Sequence, residues 1–389
     1  MKLAYVVLLI QPITGIQKSI QEKARAFAAN SIDIDIIVLN PDIEKTCEGV
    51  QYVRIKSSLP GLFRYLNSLF RRYKLIDSNI DLKKYDFIIL RYPSADRSGI
   101  RFIKKYKIIT EHHADVRSQF LAPLPGATPV SIRLLKHIRY FLEKTYGHRI
   151  LHNCRGIICV TNEIRQVESE RVRPGTPSMT VANGIDVDNI YQTGYKVYNG
   201  TELDLVFIAS SMNPWHGLDR LIRSLDKHHG PPHITFHIIG NISEKQINLN
   251  SSADVTLRFH GIQTGKNLDG LLQRMNLAFS TLALFRNRME EACVLKTREY
   301  TARGLPFVLA YSDPDLDNVD PSRTFFLRIE NKDTPVDLKA VISFVKELSK
   351  GSNPTELPAY MRQYARDHMD WKTKAQEYVS FCRRLADKK

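Results

Sequence analysis

The sequence predicts an α/β protein made of two doubly wound, Rossmann-like domains in series, and three observations carry that expectation. The chain has 389 residues, enough for two separately packed cores. It opens as strand, loop, helix, strand. A second series of the same kind starts at Leu203, after a polar stretch. Strands alternating with amphipathic helices build parallel sheets covered on both faces. The expected bounds are a first domain over 1–186, a linker over 187–202, a second domain over 203–370 and a terminal helical segment over 371–389.

Composition narrows the class. The chain is 43% hydrophobic and 25% charged, ordinary for a globular protein, and no apolar run reaches the length of a membrane span. Five scattered cysteines form neither a metal-type cluster nor a disulfide framework, which points to a reducing cytoplasm. The net charge of +15 suits an anionic partner: a membrane surface, a phosphorylated substrate or nucleic acid. There is no nucleic-acid recognition motif and no Walker A loop, so no specific nucleic-acid partner is expected.

Residues 1–10 read as a buried strand and not a signal peptide. Their apolar run is short, no small-residue cleavage site follows, and Pro12 and Gly15 mark a strand-to-loop turn. The next helix carries Ile16, Ile20, Ala24 and Phe27 at helical spacing, and residues 32–39 form the second strand. Gly15 stands at the handover. Without a Cβ it lets backbone approach a diphosphate, although many such turns carry a glycine. Residues 50–55 are a short strand. Residues 57–74 alternate leucines and aromatics with arginines, among them Arg64, Arg71 and Arg72. Two readings stay open there: an amphipathic helix packed on the sheet, or a segment lying on an anionic membrane. Residues 85–90 are a strand. Residues 107–110 lead to a strand end bearing Glu111, His112, His113 and Asp115, where open parallel sheets gather their functional loops. A basic helix over 131–152, a strand over 156–160 and a helix capped by Thr161 follow. Asn183, Gly184, Ile185 and Asp186 close the first half with a turn signal.

The second half begins with a strand over 203–209 and a loop bearing Ser210, Ser211, Trp215, His216 and Gly217. Strands over 233–240 and 255–261 end in glycine, and a strand over 276–281 follows a helical stretch at 271–275. Then Glu291 and Glu299 stand with seven residues between them, Lys296 among these, and the run ends in Gly304, Leu305 and Pro306 before the apolar strand 307–310. A helix starting just after Glu291 turns amides near Val294 and Leu295 toward an anion, with the helix dipole behind them. Lys296 adds a full charge. Glu299, about one turn further in, is placed to accept hydrogen bonds from vicinal hydroxyls. Phosphates at a helix start and a diol on a glutamate describe a nucleotide sugar. A strand over 324–327 and helices over 336–350, 360–370 and 371–384 complete the chain. Asp-x-Asp pairs occur at Asp33/Asp35, Asp186/Asp188, Asp313/Asp315 and Asp315/Asp317. Four occurrences, one inside a strand, argue that most are chance, and no metal site is expected.

The spacing of Glu291 and Glu299, followed by Gly304, Leu305 and Pro306, resembles the retaining glycosyltransferases of the GT-B fold, above all glycosyltransferase family 4. The Gly15 loop, the His113 strand end, the run Asn183 to Asp186, the loop 210–217 and the Trp371 helix are similar to the family in the same order. The resemblance implies two Rossmann-like domains facing a central cleft, with the acceptor held by the first and the donor by the second. It also implies a terminal helix crossing back to the first domain. By resemblance Glu291 lies at the donor sugar, Glu299 holds the ribose, the Gly15 loop closes over the donor phosphates and His113 sits beside the sugar, with His112 as the alternate register. One departure stands out. The family's phosphate loop ends in Lys-Gly with an arginine six residues before the lysine, and here His216 and Ser210 occupy those positions. Phosphate binding must then rest on Lys296, the amides at Val294 and Leu295, His216 and hydroxyls such as that of Ser211.

The function so implied is transfer of a hexose-type unit from a nucleotide sugar to an acceptor hydroxyl with retention, on a glycan or lipid-linked glycan, in cell-surface polysaccharide or glycolipid synthesis. No cofactor or metal is expected to be essential. The expected location is cytoplasmic, peripheral on the inner face of the plasma membrane. Two other readings stay open: a GT-B nucleotide-sugar 2-epimerase, and a catalytically weak donor-binding subunit of a membrane-associated assembly.

Overall fold

The computed structural model describes residues 1–9, 14–40, 48–55, 69–121, 128–210, 212–244, 247, 253–350 and 356–387. In chain order the first half contains β1 (Leu3–Leu8), α1 (Thr14–Ala29), β2 (Ile34–Asn40), β3 (Val50–Arg54), α2 (Arg72–Asn79), β4 (Phe87–Arg91), α3 (Gly99–Lys105), β5 (Ile108–His112), α4 (Val116–Leu121), α5 (Val130–Leu151), β6 (Gly156–Cys159), α6 (Asn162–Ser169) and β7 (Ser178–Thr180). The second half contains β8 (Glu202–Ala209), α7 (Leu218–Leu225), β9 (His233–Gly240), β10 (Val255–Phe259), α8 (Gly265–Leu272), β11 (Leu277–Phe279), α9 (Leu295–Arg303), β12 (Phe307–Leu309), β13 (Phe326–Arg328), α10 (Leu338–Lys350) and α11 (Glu356–His368). The last helix is α12 (Trp371–Asp387). The chain divides into two compact units, one of Met1–Gly184 with Trp371–Lys389, the other Ile185–Asp370.

The first unit is a seven-stranded sheet in the order β3-β2-β1-β4-β5-β6-β7, and every pairing is parallel. Its central strands are continuous apolar runs because helices cover both faces. β1 is buried from Leu3 to Val7, and β4 from Phe87 to Leu90. In α1, Ile20, Ala24 and Phe27 fall on one stripe and are all buried. They share a core with Trp371, Ala375, Tyr378, Phe381 and Cys382 of α12, and the Phe27 and Tyr378 rings meet edge-on at 6.0 Å. The edge strand β7 has no counterpart in the sequence-based expectation. Its three residues, Ser178, Met179 and Thr180, are half-buried and carry no apolar periodicity.

Gly184 has a packing reason. A Cβ there would lie 2.6 Å from the Trp371 indole. Gly184→Ala is therefore expected to destabilise the first unit by about 1–3 kcal/mol, the usual effect of overpacking a full core. Urea unfolding would show a lower midpoint at constant slope, and an unchanged midpoint would refute the contact.

Most of the stretch 57–74 lies outside the described residues, including Arg64. Arg71 is exposed, but Arg72 is buried, with Nη1 donating to Ser94 Oγ at 2.6 Å. A membrane-facing role for Arg72 is thereby corrected: its guanidinium is used inside the unit. Among the described residues no helix is long and apolar enough to cross a membrane.

The second unit is a six-stranded sheet in the order β10-β9-β8-β11-β12-β13, again parallel throughout. The strand order reverses between β8 and β11, as it does between β1 and β4. In such sheets ligands bind outside the carboxyl ends of the strands at the reversal. Residues 185–202 are packed into this unit and do not form a free linker. Ile185 N–H donates to Met369 O at 2.8 Å, Gly194 N–H to Arg303 O at 2.9 Å and Lys196 N–H to Met275 O at 2.7 Å. Arg362 donates to the carbonyls of Val187 and Ile190, both at 2.8 Å.

Candidate functional site

In the second unit the site is built at the start of α9. Glu291 pairs with Ser312 in an isolated parallel bridge, and Ala292 N–H donates to Ser312 O at 2.9 Å. Glu291 itself is buried. Val294 remains extended at φ −81° and ψ 129°, the helix begins at Leu295, and no side chain caps it. The amides of Leu295 and Lys296 have no intrahelical acceptor and carry the positive end of the helix dipole, while Thr297 N–H donates to Val294 O at 3.2 Å.

Lys296 is the distinctive group there. Its Nζ is buried without a hydrogen-bond partner and lies 4.9 Å from the centroid of the Phe207 ring, near the end of β8. Burial pushes its pKa down to about 7. The same Phe207 ring meets His216 edge-on at 6.1 Å. His216 ends a short 3-10 turn, Pro214–His216, and is buried. The turn is stitched to the end of β11: Leu282 N–H donates to His216 O at 3.0 Å and Ala283 N–H to Trp215 O at 3.1 Å. Gly217 follows at φ +70°, where a Cβ would sit 2.8 Å from the Leu282 carbonyl carbon, so only glycine fits this turn. Lys296, His216 and the α9 amides thus gather around Phe207. Ser210 is exposed, and Ser211 lies outside the described residues.

Glu299, one turn into α9, is partly exposed. Its Oε1 accepts from Arg303 Nη2 at 3.1 Å, and Arg303 also donates to Asp269 at 2.5 Å. This pairing orients the Glu299 carboxylate. The residue between Lys296 and Glu299 that sequence reasoning missed is Arg298. It is fully buried and gripped by both oxygens of Asp313, by Asp315 Oδ2 at 3.0 Å and by Thr297 Oγ1 at 2.9 Å. Two of the Asp-x-Asp carboxylates therefore brace the first turn of α9. The Asp313/Asp315 spacing was the visible signal, but its partner was not legible.

In the first unit the two candidate histidines differ sharply. His112 is fully buried, stacked on Tyr92 at 4.7 Å, and its Nε2 lies 3.0 Å from Thr110 Oγ1. Burial first, then the Arg171 charge, pushes its pKa down to about 3. His113 keeps 17% of its side chain exposed, and its Nε2 lies 2.9 Å from Glu111 Oε2. Burial and the Arg91 charge push it down to about 4, so it is neutral near pH 7. Of the two, only His113 keeps any side-chain exposure. Gly15 is the second residue of α1, and residues 10–13 of the preceding loop lie outside the described residues.

Behind His113 stands a buried network the sequence did not reveal. Glu111 is fully buried and accepts from Lys23 Nζ at 2.8 Å and from the hydroxyls of Tyr5 and Tyr378. Lys23 sits among the rings of Tyr5, Tyr378 and Trp371, at 4.0, 4.6 and 4.8 Å from their centroids. Burial alone would raise the Glu111 pKa, but Lys23, His113 and Arg91 together hold it well below the usual carboxylate range. An ionised Glu111 only accepts. His113 Nε2 must then carry the proton, leaving the lone pair on Nδ1.

Residues 13–189 match the profile of Glycosyltransferase Family 4. No curated protein matches the chain in sequence. Among solved structures, the chain is similar to a sucrose-phosphate synthase from Thermosynechococcus elongatus, at 13% identity and TM-score 0.65 with all of both chains covered. It is similar to a glycosyltransferase from Rickettsia africae at 13% identity and TM-score 0.63, again over all of both chains. It is also similar to Anabaena HepE, solved in complex with UDP, at 14% identity and TM-score 0.59, over 99% of this chain and 100% of that one. What is shared at these identities is the architecture of two parallel, doubly wound sheets with flanking helices. That architecture is the GT-B fold.

Proposed function

We propose that this GT-B chain is a glycosyltransferase that moves a sugar from a nucleotide-sugar donor to an acceptor hydroxyl with retention of configuration. One observation carries the reading: a buried ammonium without a partner, Lys296 Nζ, at the uncapped start of α9. A diphosphate supplies the missing countercharge and meets the first-turn amides at the same time.

In this proposal Lys296, the amides at Val294 and Leu295, and His216 hold the donor diphosphate, with Ser211 and the Gly15 loop as further phosphate contacts. Glu299 accepts from the ribose hydroxyls. Glu291 orients the transferred sugar, and the His113 Nδ1 lone pair accepts from a sugar hydroxyl. The bond from the anomeric carbon to the diphosphate oxygen breaks while the bond to the acceptor oxygen forms on the same face. The acceptor proton passes to the departing diphosphate oxygen. The chain contributes positioning and charge stabilisation, and the reading invokes no metal or cofactor.

A thermal-shift series beginning with UDP and UDP-glucose, the ligands of the HepE structures, tests the reading. Glu299→Ala is expected to weaken nucleotide binding by about tenfold, one to two lost charge-assisted hydrogen bonds. Glu291→Ala is expected to lower kcat by about 100-fold with donor affinity nearly kept. Unchanged kinetics in both variants would remove the assignment. A second reading, a donor-binding but catalytically weak subunit, is favoured by His216 and Ser210 standing where the family carries permanent cations. Binding without turnover on any lipid-linked acceptor would select it.

We further propose an acceptor that is a glycan or lipid-linked glycan at the cytoplasmic face of an anionic membrane. Support comes from α5, where Val130 and Phe141 are 80% and 65% exposed and Ile132 and Leu134 are also exposed. Residues 130–142 contain Arg133, Lys136 and Arg139 and no acidic residue. Ile132→Glu with Phe141→Glu is expected to abolish sedimentation with vesicles containing phosphatidylglycerol. Equal sedimentation of variant and wild type would end the proposal.

A further inference from the structure

We propose that the second unit carries a further binding site, for a phosphate-type oxyanion, in the cavity between the β9–β10 strands and the end of α8, with His260 as its switchable contact. The cavity holds about 410 Å³ and is lined by Lys196, Asp204, His237, Arg258, His260 and Arg274, with neighbouring residues of the 271–275 stretch. That volume lies within the range of small-molecule pockets. None of these residues belongs to the α9 site, so the inference stands apart from the donor reading.

The strand register assembles the polar face. His237 of β9 lies between Val206 of β8 and Arg258 of β10, and Asp204 stands two residues before Val206 on the same side of β8. A hydrogen-bonded chain runs across it. Lys196 Nζ donates to Asp204 Oδ2 at 2.6 Å, His237 Nε2 lies 3.1 Å from Asp204 Oδ1, and His237 Nδ1 lies 2.9 Å from His260 Nε2. The two imidazoles are parallel to within 4°, with centroids 5.1 Å apart.

With both imidazoles neutral, the hydrogen bonds admit one set of protons. Asp204 is a carboxylate, held below the usual range against its burial by His237 and Lys196. It only accepts, so His237 Nε2 carries a proton and Nδ1 a lone pair. That lone pair needs a donor, so His260 Nε2 carries a proton. The lone pair left over is on His260 Nδ1, and the next proton taken up goes there without breaking any link of the chain.

The charge is unbalanced. Lys196 is matched by Asp204, while Arg258 and Arg274 are exposed and their guanidiniums form no hydrogen bond or ion pair with any described residue. Burial, then His237 and Arg258, pushes the His260 pKa down. Two unmatched guanidiniums and an imidazole held short of its proton by burial and by neighbouring charge form an array that an oxyanion completes. An oxyanion takes forks from Arg258 and Arg274 and raises the proton affinity of His260 in the same step. Binding therefore takes up a proton and tightens as pH falls. The charged and titratable groups facing His260 are Lys196, Asp204, His237, Arg258 and Arg274.

The test is a titration of the full-length chain with sulfate, whose charge is constant over that pH range, read by ring resonances of selectively labelled histidines at fixed ionic strength. Saturable shifts of His260 are expected, with affinity rising about fivefold or more from pH 7.5 to pH 5.5. Arg258→Ala with Arg274→Ala is expected to weaken binding at least about tenfold. His260→Gln, which keeps a donor toward His237, is expected to keep binding but lose its pH dependence. Lys296→Met is expected to leave it unchanged, separating this site from the diphosphate site. Inorganic phosphate and a hexose phosphate are the further probes: tighter binding of the ester assigns a phosphorylated metabolite, and equal binding assigns the free anion. The proposal is overturned by an absence of saturable His260 shifts, by shifts that survive loss of both arginines, or by shifts that vanish in Lys296→Met.

Discussion

Lys23→Met is expected to cost about 3–5 kcal/mol of stability, because it leaves the buried Glu111 carboxylate without the ammonium that contacts it. The ammonium is a poor candidate for solvation by anything else, since Tyr5, Tyr378 and Trp371 enclose it. Adding Glu111→Gln to Lys23→Met should recover much of the loss, because a neutral amide needs no counter-ion. Chemical denaturation of the two single variants and the double variant measures the coupling. A Lys23→Met protein within about 1 kcal/mol of wild type would show that the pair is not the anchor described here. The same variant has a second, independent signature. With Lys23 gone, the positive charge that opposes the imidazolium is removed and the Glu111 carboxylate is left to stabilise it, so the His113 pKa should climb from about 4 toward its ordinary value. Ring NMR reads this directly. Folded His113 is depressed relative to the unfolded chain, so wild-type stability rises with pH between about 4 and 6.5, and that slope should flatten in the variant.

Lys296→Met should act in opposite directions on stability and binding. The Lys296 pKa is lowered to about 7 by burial, below its value in an unfolded chain. Between about pH 7 and pH 10 the unfolded state therefore binds more protons, and stability of the ligand-free protein rises with pH across that window. Methionine removes the buried ammonium at similar volume, so the ligand-free variant should be at least as stable as wild type near pH 6 and should lose that slope. Nucleotide diphosphate affinity should nevertheless fall by roughly 10–100-fold, the loss of one charge-assisted contact to phosphate. Calorimetry in buffers of different ionisation enthalpy should show wild type taking up a fraction of a proton on binding UDP at pH 8, and the variant none. A destabilised variant with unchanged UDP affinity would place Lys296 in the packing and not in the site.

Much of the architecture was legible from short-range pattern. The strand over residues 203–209, the loop through His216 and the helix opening after Glu291 all follow from apolar runs, turn residues and a missing cap, which are local properties. Lys296 was legible too, as a cation in the first turn of a helix, although its lack of a partner was not. The sequence could not separate His112 from His113, because alternation along β5 says which neighbours point oppositely but not which face a second element covers. Nor could it show what the Asp313/Asp315 pair was for.

By itself the sequence determined two parallel α/β sheets, the uncapped helix start after Glu291, and the carboxylates at either end of that turn. These depend on periodicity and on backbone groups a few residues apart. Only the tertiary structure decided which charges meet. Glu111 finds Lys23 across 88 residues and Tyr378 across 267, and no spacing rule encodes such a partner. Burial and neighbouring charge, both set by the whole fold, then decide which groups stay ionised: neighbours keep Glu111 charged against its burial, while burial leaves His113 neutral and holds Lys296 at the edge of deprotonation.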